Sequence, residues 1–325
     1  MSDFLFAVNA TAPVFLAVLL GYLLKRIGLL SVSLSGSLNK LVFRVFLPAM
    51  LFLNVYKIEN LSTIEFPFIG YALGMTVMLF ALGFLAVICF CKEKSKRGVL
   101  LQAIFRGNFA LVGIPITTAL FGEMGAMLAT VLSAFLVPLF NLLAIVALSA
   151  FSSDKKFSLC SFAVKTAKNP LIISIALGFV ALGVRALFVR FGISFRLTDI
   201  TPLYNTLSSL SAVATPLALI ALGGQFEFSA IASLRREITF GVLCRCVVVP
   251  LLGIGLAFLF PSLKGAHFAV FIAAFCTPVA VSSVPMAQEM DGDAPLAGQL
   301  VVFTTLISAF TIFFASYILK LIGIF

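Results

Sequence analysis

The sequence predicts an all-α membrane protein: ten transmembrane helices forming two inverted five-helix repeats, with helices four and nine broken and crossing near the midplane. Three observations carry that expectation. Of 325 residues, 62% are hydrophobic and 10% charged, against roughly 45–50% and about 25% in soluble domains. Apolar runs, each near the ~20 residues that cross about 30 Å of hydrocarbon, recur ten times between short polar clusters. Two of these runs hold helix breakers in matching places, Asn108-Phe-Ala-Leu-Val-Gly-Ile-Pro115 and Pro278-Val-Ala-Val-Ser-Ser-Val-Pro285.

In order, the runs cover residues 4–24, 38–56, 66–91, 99–121, 124–151, 170–189, 204–224, 238–260, 268–290 and 295–319. The first has Asp3 as its one early charge and no basic region ahead of it, so it reads as a spanning helix and not as a cleaved signal. The second is the shortest and contains Pro48. Orientation follows from the loops. Lys25 and Arg26 follow run one, Lys92, Lys94, Lys96 and Arg97 follow run three, and Lys155, Lys156, Lys165 and Lys168 follow run five. Positive residues concentrate on the cytoplasmic side, which puts both termini outside. Arg185, Arg190 and Arg196 in the sixth loop argue the other way. The net charge of +10 is thereby a matter of topology, and no basic aromatic patch suggests nucleic acid.

The two halves match in the same order. Pro13 with Gly21-Tyr22 parallels Pro170 with Gly178-Phe179, and Pro48 parallels Pro216. From run four onward a shift of 170 pairs Ala103 with Ala273, Phe105 with Phe275, Pro115 with Pro285 and Leu136 with Leu306. Because five spans per half is an odd number, the second copy enters the membrane from the opposite side. The division is 1–151, a short cytoplasmic linker at 152–169, and 170–325. Inverted repeats of this kind build alternating-access sites at broken helices near the midplane.

An unwound backbone within a bilayer needs protein or a wet cavity around it. Proline at a helix start costs nothing extra, so Pro115 and Pro285 are expected to open second half-helices, with Gly113, Ser282 and Ser283 as the flexible or capping residues before them. Exposed amides and the positive end of the dipole at such starts attract anions. Asn108, at the pseudo-equivalent position of Pro278, adds donors and an acceptor. Each of these residues has a plainer alternative: proline can simply kink a helix, and Asn108 can serve as interhelical glue. Arg106 either faces a substrate path or snorkels to the interface. Arg44 and Arg245 are similarly open, with the plain reading preferred.

Other chemistry is excluded or unsupported. Cys89-Lys-Cys91 and Cys244-Arg-Cys246 lack metal or redox spacing, and His267 offers no ligand set. Catalytic motifs such as His-Glu-x-x-His or Gly-x-Ser-x-Gly are absent, so neither an enzyme nor a cofactor is expected. All twelve acids fall in loops or near run ends, which leaves no visible proton relay. Gly70 and Gly74 have the small-residue spacing of a helix contact, a weak hint of a homodimer.

The stretches Phe46-Leu-Pro-Ala-Met-Leu-Phe52, Gly107-Asn108 with Leu-Val-Gly113-Ile-Pro115, and Pro278 through Pro285 into Ala287-Gln-Glu289 resemble the auxin efflux carrier family and its bacterial members. The resemblance implies two inverted five-helix repeats, a scaffold bundle of spans one, two, six and seven, and a transport bundle crossing at spans four and nine. It also implies dimerisation through the scaffold, and carboxylate substrates such as malate or malonate, carried across the plasma (inner) membrane. Asn108, Pro115, Pro278 and Pro285 carry over as crossover residues. The short linker at 152–169 departs from members with a long loop there, which makes auxin itself a poor candidate. A sodium-coupled organic anion symporter of the bile acid transporter type, or a non-transporting membrane sensor, are the alternatives.

Overall fold

Proline placement shapes most of the helix ends in the computed structural model, which describes residues 13, 16–57, 65–152, 168, 170–226, 229–263 and 265–324. Within these residues the chain is helical, and its one β feature is an isolated bridge. Most of the first run and of the linker at 152–169 lie outside the described residues; α1 is helical over 16–26. Seven helices among the described residues are long and apolar enough to cross a membrane: Val32–Tyr56, Phe66–Phe90, Leu120–Ala150, Pro170–Arg190, Thr201–Gln225, Ile231–Leu259 and Ala294–Leu321.

The second helix, α2 (Val32–Tyr56), starts six residues before the apolar run that marks it in sequence. Ser33, Ser35, Ser37, Asn39 and Lys40 dilute its first turns, while Ser31 caps it by accepting from Leu34 N–H at 3.0 Å. Helix α3 (Phe66–Phe90) opens with Pro67 in its first turn, where a missing donor costs nothing. Next come α4 (Lys94–Phe105) and a second rod that begins as a π turn at Phe109–Gly113. That rod reverses at Phe121 and Gly122, whose backbone angles are non-helical. A Cβ on Gly125 would lie within 2.3 Å of Thr117 O, yet residues eight apart in a straight helix are separated by about 12 Å. Residues 114–121 (α5) and 123–150 (α6) are therefore two helices.

The remaining elements are α7 (Pro170–Arg190), α8 (Thr201–Gln225), α9 (Ser229–Leu243 continuing through Val249–Gly255), α10 (Ala266–Phe275), α11 (Ser283–Glu289) and α12 (Ala294–Leu321). Asp293 caps α12 by accepting from Leu296 N–H at 2.9 Å.

Three π turns, Val42–Phe46, Phe109–Gly113 and Cys244–Val248, each end two residues before a proline: Pro48, Pro115 and Pro250. Proline cannot donate and crowds the carbonyl of the preceding turn. Widening that turn by one residue lets Leu47, Ile114 and Val249 N–H bond five residues back, to Val42, Phe109 and Cys244 O. Pro115 falls in the first turn of α5, as expected of a proline at a helix start, but a π turn precedes it and the rod as a whole begins at Asn108, whose carbonyl accepts from Val112 N–H at 3.0 Å. Pro285 likewise falls in the first turn of α11.

Packing falls into two sets. The second half of α2 lies against α7 and α8, and α1 meets α8; α3, α4, α6, α9, α10 and α12 pack among themselves. Across the two sets run contacts from α11 to α2 and α8, from the 114–150 rod to α2 and α7, and from Gly298 of α12 to Leu222 of α8.

Candidate functional site

Two unwound stretches meet where α4 and α10 end. Arg106 is extended (φ −102°, ψ 99°) and Asn108 lies outside the helical region (φ −83°, ψ 57°). Asn108 N–H donates to Pro278 O at 2.8 Å and Ala280 N–H to Arg106 O at 3.3 Å, an antiparallel bridge centred on Gly107 and Val279. Each break supplies the partners the other has lost, which answers the requirement that backbone groups in a bilayer be satisfied within the protein. Thr304 of α12 accepts a further bond from Val279 N–H at 3.1 Å.

The carbonyls at the ends of the first half-helices go to Arg245. Its guanidinium donates to Thr277 O at 2.7 Å, Ala274 O at 3.1 Å and Ile104 O at 3.3 Å, and the residue is fully buried. On the other side of Gly107 lies Arg106, 2% exposed. Its guanidinium donates to Gln102 Oε1 at 2.8 Å, Ser282 Oγ at 2.7 Å, Asn141 Oδ1 at 2.5 Å and Met286 Sδ at 3.0 Å. Among the described residues no carboxylate pairs with either arginine. A buried charge is costly unless it is compensated, so two cations without anions mark a place of unusual electrostatics.

Arg106 lines a cavity of about 340 Å³ between the crossing and helices α2, α6 and α8. Asn54, Asn108, Asn141, Ser211, Thr215 and Ser282 contribute polar groups, against an apolar wall that includes Met50, Val137, Phe140 and Pro216. Asn108 Nδ2 is buried and has no hydrogen-bond partner among the described residues.

Residues 6–316 match the family described as membrane transport protein. The chain belongs to that family, the auxin efflux carriers. It is 24% identical over 308 residues to an uncharacterized transporter of Methanothermobacter thermautotrophicus, covering 94% of this chain and 96% of that one. The protein is a multi-pass membrane transporter, and its family consists of transporters and not of enzymes.

Of the residues that the sequence marks in this carrier, the cavity gathers Arg106, Asn108 and Ser282. Pro278 contributes its carbonyl to the bridge. Gly113, Pro115, Ser283 and Pro285 do not line the cavity. Gly113 lets α10 approach, since a Cβ there would lie 2.9 Å from Ala273 Cβ and 3.0 Å from Ala273 O. Snorkelling is ruled out for Arg106 by its burial, and the plain reading of Arg245 is overturned by its place at the crossing. Arg44 has an acidic partner after all, Glu289 at 3.4 Å. Sequence reasoning misses Asn54 and Asn141. For Asn141 the signal is available, because an amide side chain in the middle of an apolar span is expensive and needs a reason; Asn54, two residues from the end of its run, gives none.

Proposed function

We propose that this transporter is a secondary carrier of small organic anions, carboxylates such as malate or malonate, working by alternating access at the crossed breaks. The observation that carries this reading is Arg106: a buried guanidinium on a cavity wall whose described partners are all neutral. A carboxylate entering the cavity would supply the missing counter-charge, and guanidinium geometry suits it. Asn108 Nδ2 would give it one more donor. The volume of about 340 Å³ lies at the small end of ligand pockets, which favours compact acids.

Ten spans in two inverted repeats, 1–151 and 170–325 about the linker 152–169, complete the proposal. Seven candidate spanning helices, the helical stretch 16–26 and the two broken rods support that number. The sequence pairs Gly21 with Gly178, and each makes an equivalent contact with the other half. A Cβ on Gly21 would meet Ile220 O of α8 at 2.1 Å, and one on Gly178 would meet Phe52 O of α2 at 3.0 Å. The breaks themselves, at 106–108 and 276–278, sit 170 residues apart. In this scheme α1, α2, α7 and α8 are the scaffold, through which two copies pair as a homodimer. The remaining helices move against it, and the protein resides in the plasma (inner) membrane.

The test is a thermal-shift screen of purified protein against mono- and dicarboxylates, with their neutral amides as controls. A ligand that binds only the folded state at 100 times its Kd stabilises by about 2.7 kcal/mol. Carboxylates are expected to raise the midpoint and amides to leave it unchanged; equal behaviour of the two series would remove the anion reading.

A further inference from the structure

We propose that Arg245 is a tethered counter-cation, filling the place among the half-helix carbonyls where a cation-coupled carrier would bind its ion. In carriers with broken helices, unwound carbonyls and half-helix C-terminal ends are the groups that coordinate a diffusible cation. Here those groups are already taken. Ile104 and Ala274 lie in the last turns of α4 and α10, and Thr277 lies in the second break; all three carbonyls accept from one guanidinium. Each helix C-terminus carries about half a negative charge, so two of them balance roughly one guanidinium.

The local sequence delivers the side chain to that place. Pro250 forces the π turn Cys244–Val248 in α9, and Arg245 is its second residue. Gly107 leaves room: a Cβ there would lie 2.2 Å from Arg245 Nη2, 2.8 Å from Thr277 Oγ1 and 2.9 Å from Ala274 O. The guanidinium thus presses against the backbone of one break while bonding the carbonyl of the other. Arg245 is a positioning residue. It holds the two breaks in register, so that Arg106 and Asn108 face the cavity, and its charge occupies the carbonyls that sodium would need at the crossing. This goes beyond the anion reading and does not need it, since the measurement below uses no substrate.

The experiment is thermal unfolding of purified protein in sodium, potassium or choline chloride at constant ionic strength, for the natural sequence, Arg245→Ala and Arg245→Lys. The natural protein is expected to show the same midpoint in all three salts. Arg245→Ala should unfold several degrees lower and regain most of that loss in low-millimolar guanidinium or in sodium, whereas the natural protein gains nothing from either. Arg245→Lys keeps the charge and should remain near the natural midpoint and indifferent to sodium. A sodium-specific rise in the natural protein overturns the proposal. So does a monodisperse Arg245→Ala protein that answers to neither cation. If Arg245→Ala cannot be purified, the natural protein and Arg245→Lys still decide: a sodium-dependent midpoint in either refutes the tethered cation.

Discussion

Asn108 separates binding from folding more cleanly than any other residue. Its backbone N–H bonds Pro278 O and its carbonyl starts the second half-helix, while its side-chain Nδ2 has no partner among the described residues. Truncation to alanine removes the unpaired donor and keeps both backbone bonds. Asn108→Ala is therefore expected to unfold at the same temperature or slightly higher, and to lose much of the midpoint rise that a carboxylate induces. A destabilised variant with undiminished ligand response would make Asn108 structural. At Arg106 the charge is the issue. Removing one member of a buried charge pair costs about 2–5 kcal/mol of binding, so Arg106→Gln should weaken carboxylate affinity by at least ~30-fold in calorimetry. Arg106→Lys should weaken it less, keeping the charge and losing the fork. Gly107→Ala has no room for its methyl group and should destabilise by about 1–3 kcal/mol, the usual range for overpacking.

Elements show why some of this is legible in the sequence and some is not. Apolar runs announce helices because lipid demands them, and a matched pair of breaker-rich segments announces the interruptions. Where each interruption begins is not legible. Pro115 reads as a helix start, but the π turn at Phe109–Gly113 absorbs its missing donor and moves the break upstream to residues 106–108. Arg245 escapes for a related reason, since nothing local distinguishes an arginine facing lipid headgroups from one facing the ends of two distant helices.

Helix contacts follow the same division. The Gly21 contact with α8 is backbone against backbone, as is that of Gly223, where a Cβ would lie 2.0 Å from Val18 O. Small residues that allow such approach drive association where no hydrophobic effect operates between helices. Gly223→Leu should separate α1 from α8 and lower the midpoint by several degrees, whereas Gly70→Leu, with nothing within 4 Å of its Cβ position, should not. At the other junction, Lys96 joins α4 to α9 through Glu93 at 2.8 Å and Glu237 at 3.2 Å. Burial pulls its amine down, but the two carboxylates outweigh it and hold the pKa above the ordinary 10.5. The stability it contributes is present in full below that ordinary value and fades only as pH rises through the raised one, so this junction should hold across the physiological range.

At the scale of the whole molecule, a cluster of amides lies eleven residues along α2 from the cavity residue Met50, about 16 Å at 1.5 Å per residue. Asn39 of α2 donates to Gln288 Oε1 of α11 at 2.8 Å and to Gln225 Oε1 of α8 at 3.2 Å. Close by, Arg44 meets Glu289 at 3.4 Å, with side chains 69% and 9% exposed. This end also carries Lys25, Arg26, Lys94 and Lys96, which the loop-charge rule assigns to the cytoplasm. The cluster bridges the two packing sets, so under alternating access it would have to break for the site to open inward. Its strength is of the right order for a contact that must open and close, because hydrogen bonds contribute about 0.5–1.5 kcal/mol each. A few kcal/mol is the gap that keeps a minor conformer within reach. Replacing Asn39 and Gln288 together by leucine should therefore shift the population inward. The measurement is maleimide labelling from outside at Thr215→Cys, a cavity position, with the six natural cysteines replaced. Labelling should slow when Asn39→Leu and Gln288→Leu are added. If it stays the same or speeds up, these amides do not hold the inner side closed, and the closure lies in the other contacts between the two packing sets.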